Sequence, residues 1–271
     1  MESALVSNLR PEFEPVAVVW SDTIHRHVFQ FKQGKFGCVV YLMAEASKRG
    51  KIAAASRESI ACPGGRAALG FGVDFDVSEE ILDRYAALFS KGIKSASDKA
   101  AYEAHMQARP KNWQDLYKFG ERRHCNADLA KDWILHGLPR YDISQKYVLF
   151  KPLSLTAPEE NLRAVIFPVS PLELSGLVTV AGSVMAGTDP VQVPQGADCT
   201  SITAFAYAQA EQPAPRAILG MLGVDGREVM QKRFRRDTLT LTLPAPLYHR
   251  MEQEADDCIL QTPPWKDLTG K

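Results

Sequence analysis

The chain has 271 residues, 45% of them hydrophobic and 24% charged, the composition of a folded globule long enough to bury a substantial core. Its 32 basic and 32 acidic residues cancel, so no overall field draws in nucleic acid or an acidic membrane. The N-terminal stretch lacks the order of a signal peptide and no run approaches 18 apolar residues, which predicts a cytoplasmic protein whose five cysteines stay reduced.

Pro15 to Trp20 is a continuous β-branched run of the kind buried in a sheet. Gly37-Cys38 opens a helix ending at Gly50, and Lys51 to Ala55 reads as a short strand. Cys62-Pro63-Gly64-Gly65-Arg66 reads as a turn running into Ala67-Ala68-Leu69. Strand, helix, strand and glycine turn is the grammar of a βαβ unit. From Ser78 to about Leu138 the chain is rich in Ala, Lys, Glu and Arg with helical spacing, broken at Pro110 and Gly120.

Strands resume at Tyr147 to Lys151 and at Ala164 to Val169. A helix covers Pro171 to Gly187, and Pro190 to Pro194 is extended. Gly196-Ala197-Asp198-Cys199 opens a helix ending near Gln212. Arg216 to Leu222 is a strand, Asp225-Gly226-Arg227 a turn, and Glu228 to Phe234 a helix. Thr238 to Leu243 alternates as a half-buried strand does, and a last helix spans Pro246 to Asp257. The fold class expected is α/β: two related βαβ-type halves forming mixed sheet layers, residues 1–77 and 141–271, with a mostly helical insertion over 78–140, the whole making one compact domain.

The relation between the halves is visible in spacing. Cys38 is followed 27 residues later by Gly65 and then Arg66, and Cys199 is followed 27 residues later by Gly226 and then Arg227. Helix, loop, strand and turn lie between in both cases, so an internal repeat is expected. Cys62 is the unmatched thiol: its counterpart is Gly223.

Cys38, the Cys62-Pro63-Gly64-Gly65 turn, the run from Pro194 through Gly196 to Cys199, and the closing Pro263 to Trp265 together resemble the domain-of-unknown-function family 169, also called the ArCR family. The similarity extends from Pro15 to Leu268. It implies shared cysteine positions at Cys38, Cys62 and Cys199 and no assigned reaction; Cys125 and Cys258 lie outside the pattern.

A thiol at a helix N-terminus meets the positive end of the helix dipole and unpaired backbone N–H groups, which favour thiolate. Cys38, Cys62 and Cys199 are all read at such positions. One expectation is therefore a [4Fe–4S] cluster on these three, with one iron open to substrate, or closed by His124 or Cys125 from the insertion. The reaction would then be that of a lyase, hydratase or reductase, served by a redox partner protein or a homodimer. The other is a protein that binds or senses a small anion through Arg66, Arg227 and the turn glycines Gly64, Gly65, Gly196 and Gly226, with structural cysteines and no metal. No C-x-x-C is present, and cytosolic cysteines often serve only as small core residues. His25 and His27 read as exposed loop residues, and Lys232 to Arg236 as a solvated basic face.

Overall fold

The computed structural model describes residues 2–33, 37–72, 78–109 and 111–270. Contacts divide the chain into two units, Met1–Val73 with Arg140–Lys271, and Asp74–Pro139. In chain order the first unit begins with α1 (Ala4–Leu9), β1 (Val16–Ser21), α2 (Val39–Arg49), β2 (Ala53–Ala55) and α3 (Pro63–Leu69). The second unit supplies α4 (Glu79–Phe89), α5 (Lys99–Gln107), α6 (Lys111–Phe119) and α7 (Ala127–Asp132). The first unit then resumes with β3 (Tyr147–Pro152), β4 (Asn161–Val169), α8 (Pro171–Ser183), β5 (Val191–Gln192), α9 (Asp198–Ser201) and α10 (Ala204–Ala210). It closes with β6 (Ala217–Gly220), α11 (Val224–Arg233), β7 (Leu239–Pro244), α12 (Ala245–Gln253) and α13 (Pro263–Thr269).

The seven strands form one mixed sheet in the order β2-β3-β1-β4-β7-β6-β5, antiparallel except for the β5–β6 pair. Setting β1 against β4, β3 against β7 and β2 against β6 makes the order read alike from either edge. The correspondence reaches the rims: Phe29 forms a parallel bridge with Ala53 of β2, as Val191 of β5 pairs in parallel with Ala217 of β6. The expected βαβ units are thus split. β1 and β2 run the same way but β3 lies between them, and β7 likewise separates β4 from β6.

Both faces of the sheet are covered, which is why β1 reads as a continuous apolar run. On one face Ala17, Val19, Val165, Phe167, Leu241 and Leu243 pack with Leu5 and Leu9 of α1, Leu177 and Val180 of α8, and Leu247 and Met251 of α12. Trp265 of α13 completes that core against Gly176, where a Cβ would stand 2.6 Å from the indole. The opposite face, which carries Val16, Val18, Thr240 and Thr242, takes α2, α9 and α10.

Three local expectations change. The Cys62–Arg66 segment and the Asp225–Arg227 segment are first turns of helices α3 and α11, not turns before them. Glycine pairs weaken a helix, but Pro63 at the first position of α3 is pre-set for one. The helix after Asp198 is interrupted at Ile202–Thr203, where the Thr203 hydroxyl lies 2.7 Å from the carbonyls of both Cys199 and Ala68. The helix begun at Pro171 ends at Ser183, four residues short of Gly187.

The second unit is helical throughout its named elements, around Ala87, Leu88, Tyr102 and Tyr117. Gly92 and Gly120 both have positive φ, and a Cβ on either would strike the other turn's backbone; glycine there lets two turns touch. The expected break at Pro110 falls outside the described residues.

Candidate functional site: two helix mouths on one sheet face

The first turn of α3 brings together Cys62 and Cys199, and the residue after Cys38 packs against it. Cys38 and Cys62 are the N-caps of α2 and α3, both in extended conformation. Val39, next to Cys38, packs on Gly65, whose absent Cβ would stand 3.2 Å from the valine methyl and 3.5 Å from the Cys62 Cβ. Cys199, the second residue of α9, has its Sγ 3.8 Å from the Gly64 carbonyl oxygen. Residues far apart in sequence thus meet on one helical turn. All three thiols are partly exposed, as is that of Cys258.

The matching mouth, at α11, is closed by the chain itself. Gly223 is its N-cap, and its N–H and that of Gly226 donate to the two carboxylate oxygens of Asp198 at 3.1 and 2.9 Å. Asp198 is 3% exposed. A Cβ on Gly226 would overlap the carboxyl group, so glycine is required there. The residue one before Cys38, in Asp198's place, is Gly37, and the Phe31 ring lies where a side chain would begin. Sequence reasoning missed Asp198. The signal was an aspartate one residue before Cys199 facing a glycine one residue before Cys38.

The other predicted residues divide. Arg227 donates through Nη1 to the Thr238 carbonyl and through Nη2 to the Arg236 carbonyl, stapling α11 to the turn before β7. Arg66, in the last turn of α3, stands near Glu58. The Glu58 carboxyl is held below its ordinary range first by its own backbone N–H and the Ser56 hydroxyl, with smaller contributions from Arg57 and Arg66. Gly196 has the Phe205 ring 2.7 Å from where its Cβ would be. Gly64 has nothing among the described residues within 4 Å of that position.

Cys125 is exposed and belongs to the second unit, as does His124, whose ring lies 5.3 Å from that of Trp133. Burial, then Arg123, lowers the His124 pKa. Cys258 packs at the edge of the other core, its Sγ 3.1 Å from the Ala255 carbonyl, and burial pushes its thiol pKa up.

Among the described residues, no three His, Cys, Asp or Glu side chains come together closely enough to hold one metal ion. A mononuclear centre therefore does not fit this arrangement. A cubane cluster spreads its thiolates more widely than a single ion does, and three cysteines on three separate elements are a donor set of its kind.

Fold and site define a two-halved α/β protein with a helical insertion, carrying a thiol-lined helix mouth in one half and a carboxylate-sealed one in the other. The chain belongs to the DUF169 family, described as uncharacterised ArCR, whose model matches residues 4–254. No curated protein and no solved structure matches it. Among the described residues no helix is long and apolar enough to cross a membrane.

Proposed function

We propose that the α3 mouth is a thiolate site for an iron–sulfur cluster, held by Cys38, Cys62 and Cys199. The observation that carries this reading is the approach of Cys199 Sγ to the Gly64 carbonyl on the helix that Cys62 caps. Partial exposure of all three thiols supports it. When bound, the cluster would supply an electron-transfer centre or, at an iron without a protein ligand, a Lewis acid for a small anionic substrate. Cys62 and Cys199 would bracket the first turn of α3, and Gly64, bare of a side chain, would leave that turn open to the cluster's bulk. Such a site suits the reducing cytosol.

Protein purified without oxygen and reconstituted with iron and sulfide should turn brown and retain about four iron atoms per chain. Cys62→Ser and Cys199→Ser should each lose most of that iron, while Cys125→Ser should keep it. A colourless, iron-free product after reconstitution overturns the reading, as does a Cys62→Ser variant with undiminished iron.

A second reading, small-anion binding at the α3 mouth without a metal, rests on analogy with the α11 mouth, where the amides of a matching helix start hold the chain's own carboxylate. It predicts that iron-free protein is stabilised by a small anion and that Arg66→Ala abolishes the effect.

A further inference from the structure

A different cluster lies at the other end of α3. Pairing of β1 with β4 slips between Val18 and Val19: Val18 faces Ala164 but Val19 faces Leu162, so Arg163 is the extra residue of a bulge. Leu162 and Val165 both lie on the α1–α8–α12 face, with two residues between them where strict alternation allows one. The bulge therefore turns Arg163 to the opposite face, a common use of bulges beside binding sites. There its guanidinium carbon lies 4.1 Å from the centre of the Trp20 ring. Trp20 meets Tyr207 edge-on with centroids 5.1 Å apart, and Tyr141 meets Tyr207 likewise at 5.7 Å. Tyr141 and Tyr207 also flank Gly70, the C-cap of α3.

The hydrogen-bonding groups of this cluster do not balance. Trp20 Nε1, Arg163 Nε and the Tyr207 hydroxyl are all buried, and among the described residues none meets a partner in good hydrogen-bond geometry, although the Trp20 N–H points close enough to the Tyr207 oxygen to lower its pKa. Tyr207 is 0% exposed, and burial pushes its pKa far above the tyrosine range, so at neutral pH its hydroxyl carries a proton to donate. The Trp20 N–H beside it acts the other way and is outweighed. Tyr141's hydroxyl is engaged by the Glu211 carboxylate. Among the described residues the Arg163 Nε–H and the Tyr207 O–H thus lie buried in one cluster with no acceptor in hydrogen-bond geometry, the Trp20 N–H having only the Tyr207 oxygen beside it, an exception in a folded interior. Stacking on Trp20 leaves the in-plane N–H groups of the guanidinium available.

We propose that Arg163, Trp20 and Tyr207 bind the carboxylate of a small molecule, with Tyr141 at the rim. The planar fork of arginine matches the two oxygens of a carboxylate. The aromatic walls suit an apolar body attached to that carboxylate. Nothing in this inference depends on a metal at the α3 mouth.

The probe is benzoate, read by the indole N–H resonance of Trp20 in nitrogen-15 NMR spectra, identified by its disappearance in Trp20→Phe. Benzoate should shift that resonance saturably, and acetate, lacking the ring, should do so more weakly. Arg163→Gln should raise the half-saturating concentration about tenfold or more. Tyr207→Phe, which keeps the ring and loses the donor, should raise it a few-fold. An unmoved Trp265 resonance, from the other face, reports that each variant is folded. The proposal fails if benzoate leaves Trp20 unmoved up to its solubility, the result expected if ordered water fills the site. It fails equally if Arg163→Gln and Tyr207→Phe both bind as well as the parent, or if inorganic phosphate binds more tightly than benzoate.

Discussion

The α11 and α3 mouths have the same place in the sheet's connectivity and opposite chemistry. At α11 a buried carboxylate satisfies the N-terminal amides, a glycine makes room for it, and an arginine on the same turn is tied to two carbonyls. Every polar group in that description has a partner within the chain. At α3 the N-cap is Cys62, whose side chain makes no capping hydrogen bond, and Gly37 stands where the carboxylate would originate. The thiol of Cys199 reaches across from α9 instead. A helix terminus exposes several N–H groups that something must satisfy. The second half meets that need internally, which makes its mouth structural; the first half lines the same position with soft, partly exposed donors.

The largest effect expected from breaking this contrast is at Asp198. Asp198→Ala removes a buried acceptor from two backbone donors and should cost about 3 kcal/mol, read as a fall in the urea midpoint. Asp198→Asn keeps one oxygen and should cost about 1 kcal/mol. Equal losses for the two would mean that a neutral amide replaces none of what the charged carboxylate does in closing α11. Gly226→Ala comes next, at about 2 kcal/mol, because its methyl group displaces the carboxylate. In that variant, amide exchange should accelerate at Gly223 and at the substituted position before it does elsewhere in α11.

Much of this was legible in the sequence, and the missing part has a physical cause. The strands were read within a few residues because burial on both faces writes them as apolar runs, Val16–Trp20 and Ala164–Val169 among them. The matched 27-residue spacings paired Gly65 with Gly226, which lie in the first turns of α3 and α11, but the approach of α9 to α3 is a tertiary contact that spacing does not carry. The start of α11 was misread because its cap comes from Asp198, 25 residues upstream of Gly223, and local propensity carries no trace of so distant a partner. Arg163 was missed for a related reason. The bulge that turns it onto Trp20 is a slip in pairing between two strands, and neither strand shows it alone. Strand order was likewise out of reach: βαβ grammar specifies direction, and only packing inserted β3 and β7 between the parallel neighbours.

The smallest effect is the most discriminating between the two mouths. Gly64 holds the place in α3 that Asp225 holds in α11, one residue before the paired glycines Gly65 and Gly226. Among the described residues nothing lies within 4 Å of the Cβ it lacks, and its φ is not in the left-handed region. Alanine is the better helix former at such a position, so Gly64→Ala should stabilise the chain by about 0.5 kcal/mol in the same urea titration in which Gly226→Ala destabilises it. Opposite signs at neighbouring positions of equivalent turns would mark α3 as the open mouth. A Gly64→Ala loss above about 1 kcal/mol would show that the turn has no spare room. Iron uptake separates the remaining explanations: if Gly64→Ala is stabilising yet lowers iron retention, the glycine is kept for the ligand that the thiols hold and not for the fold.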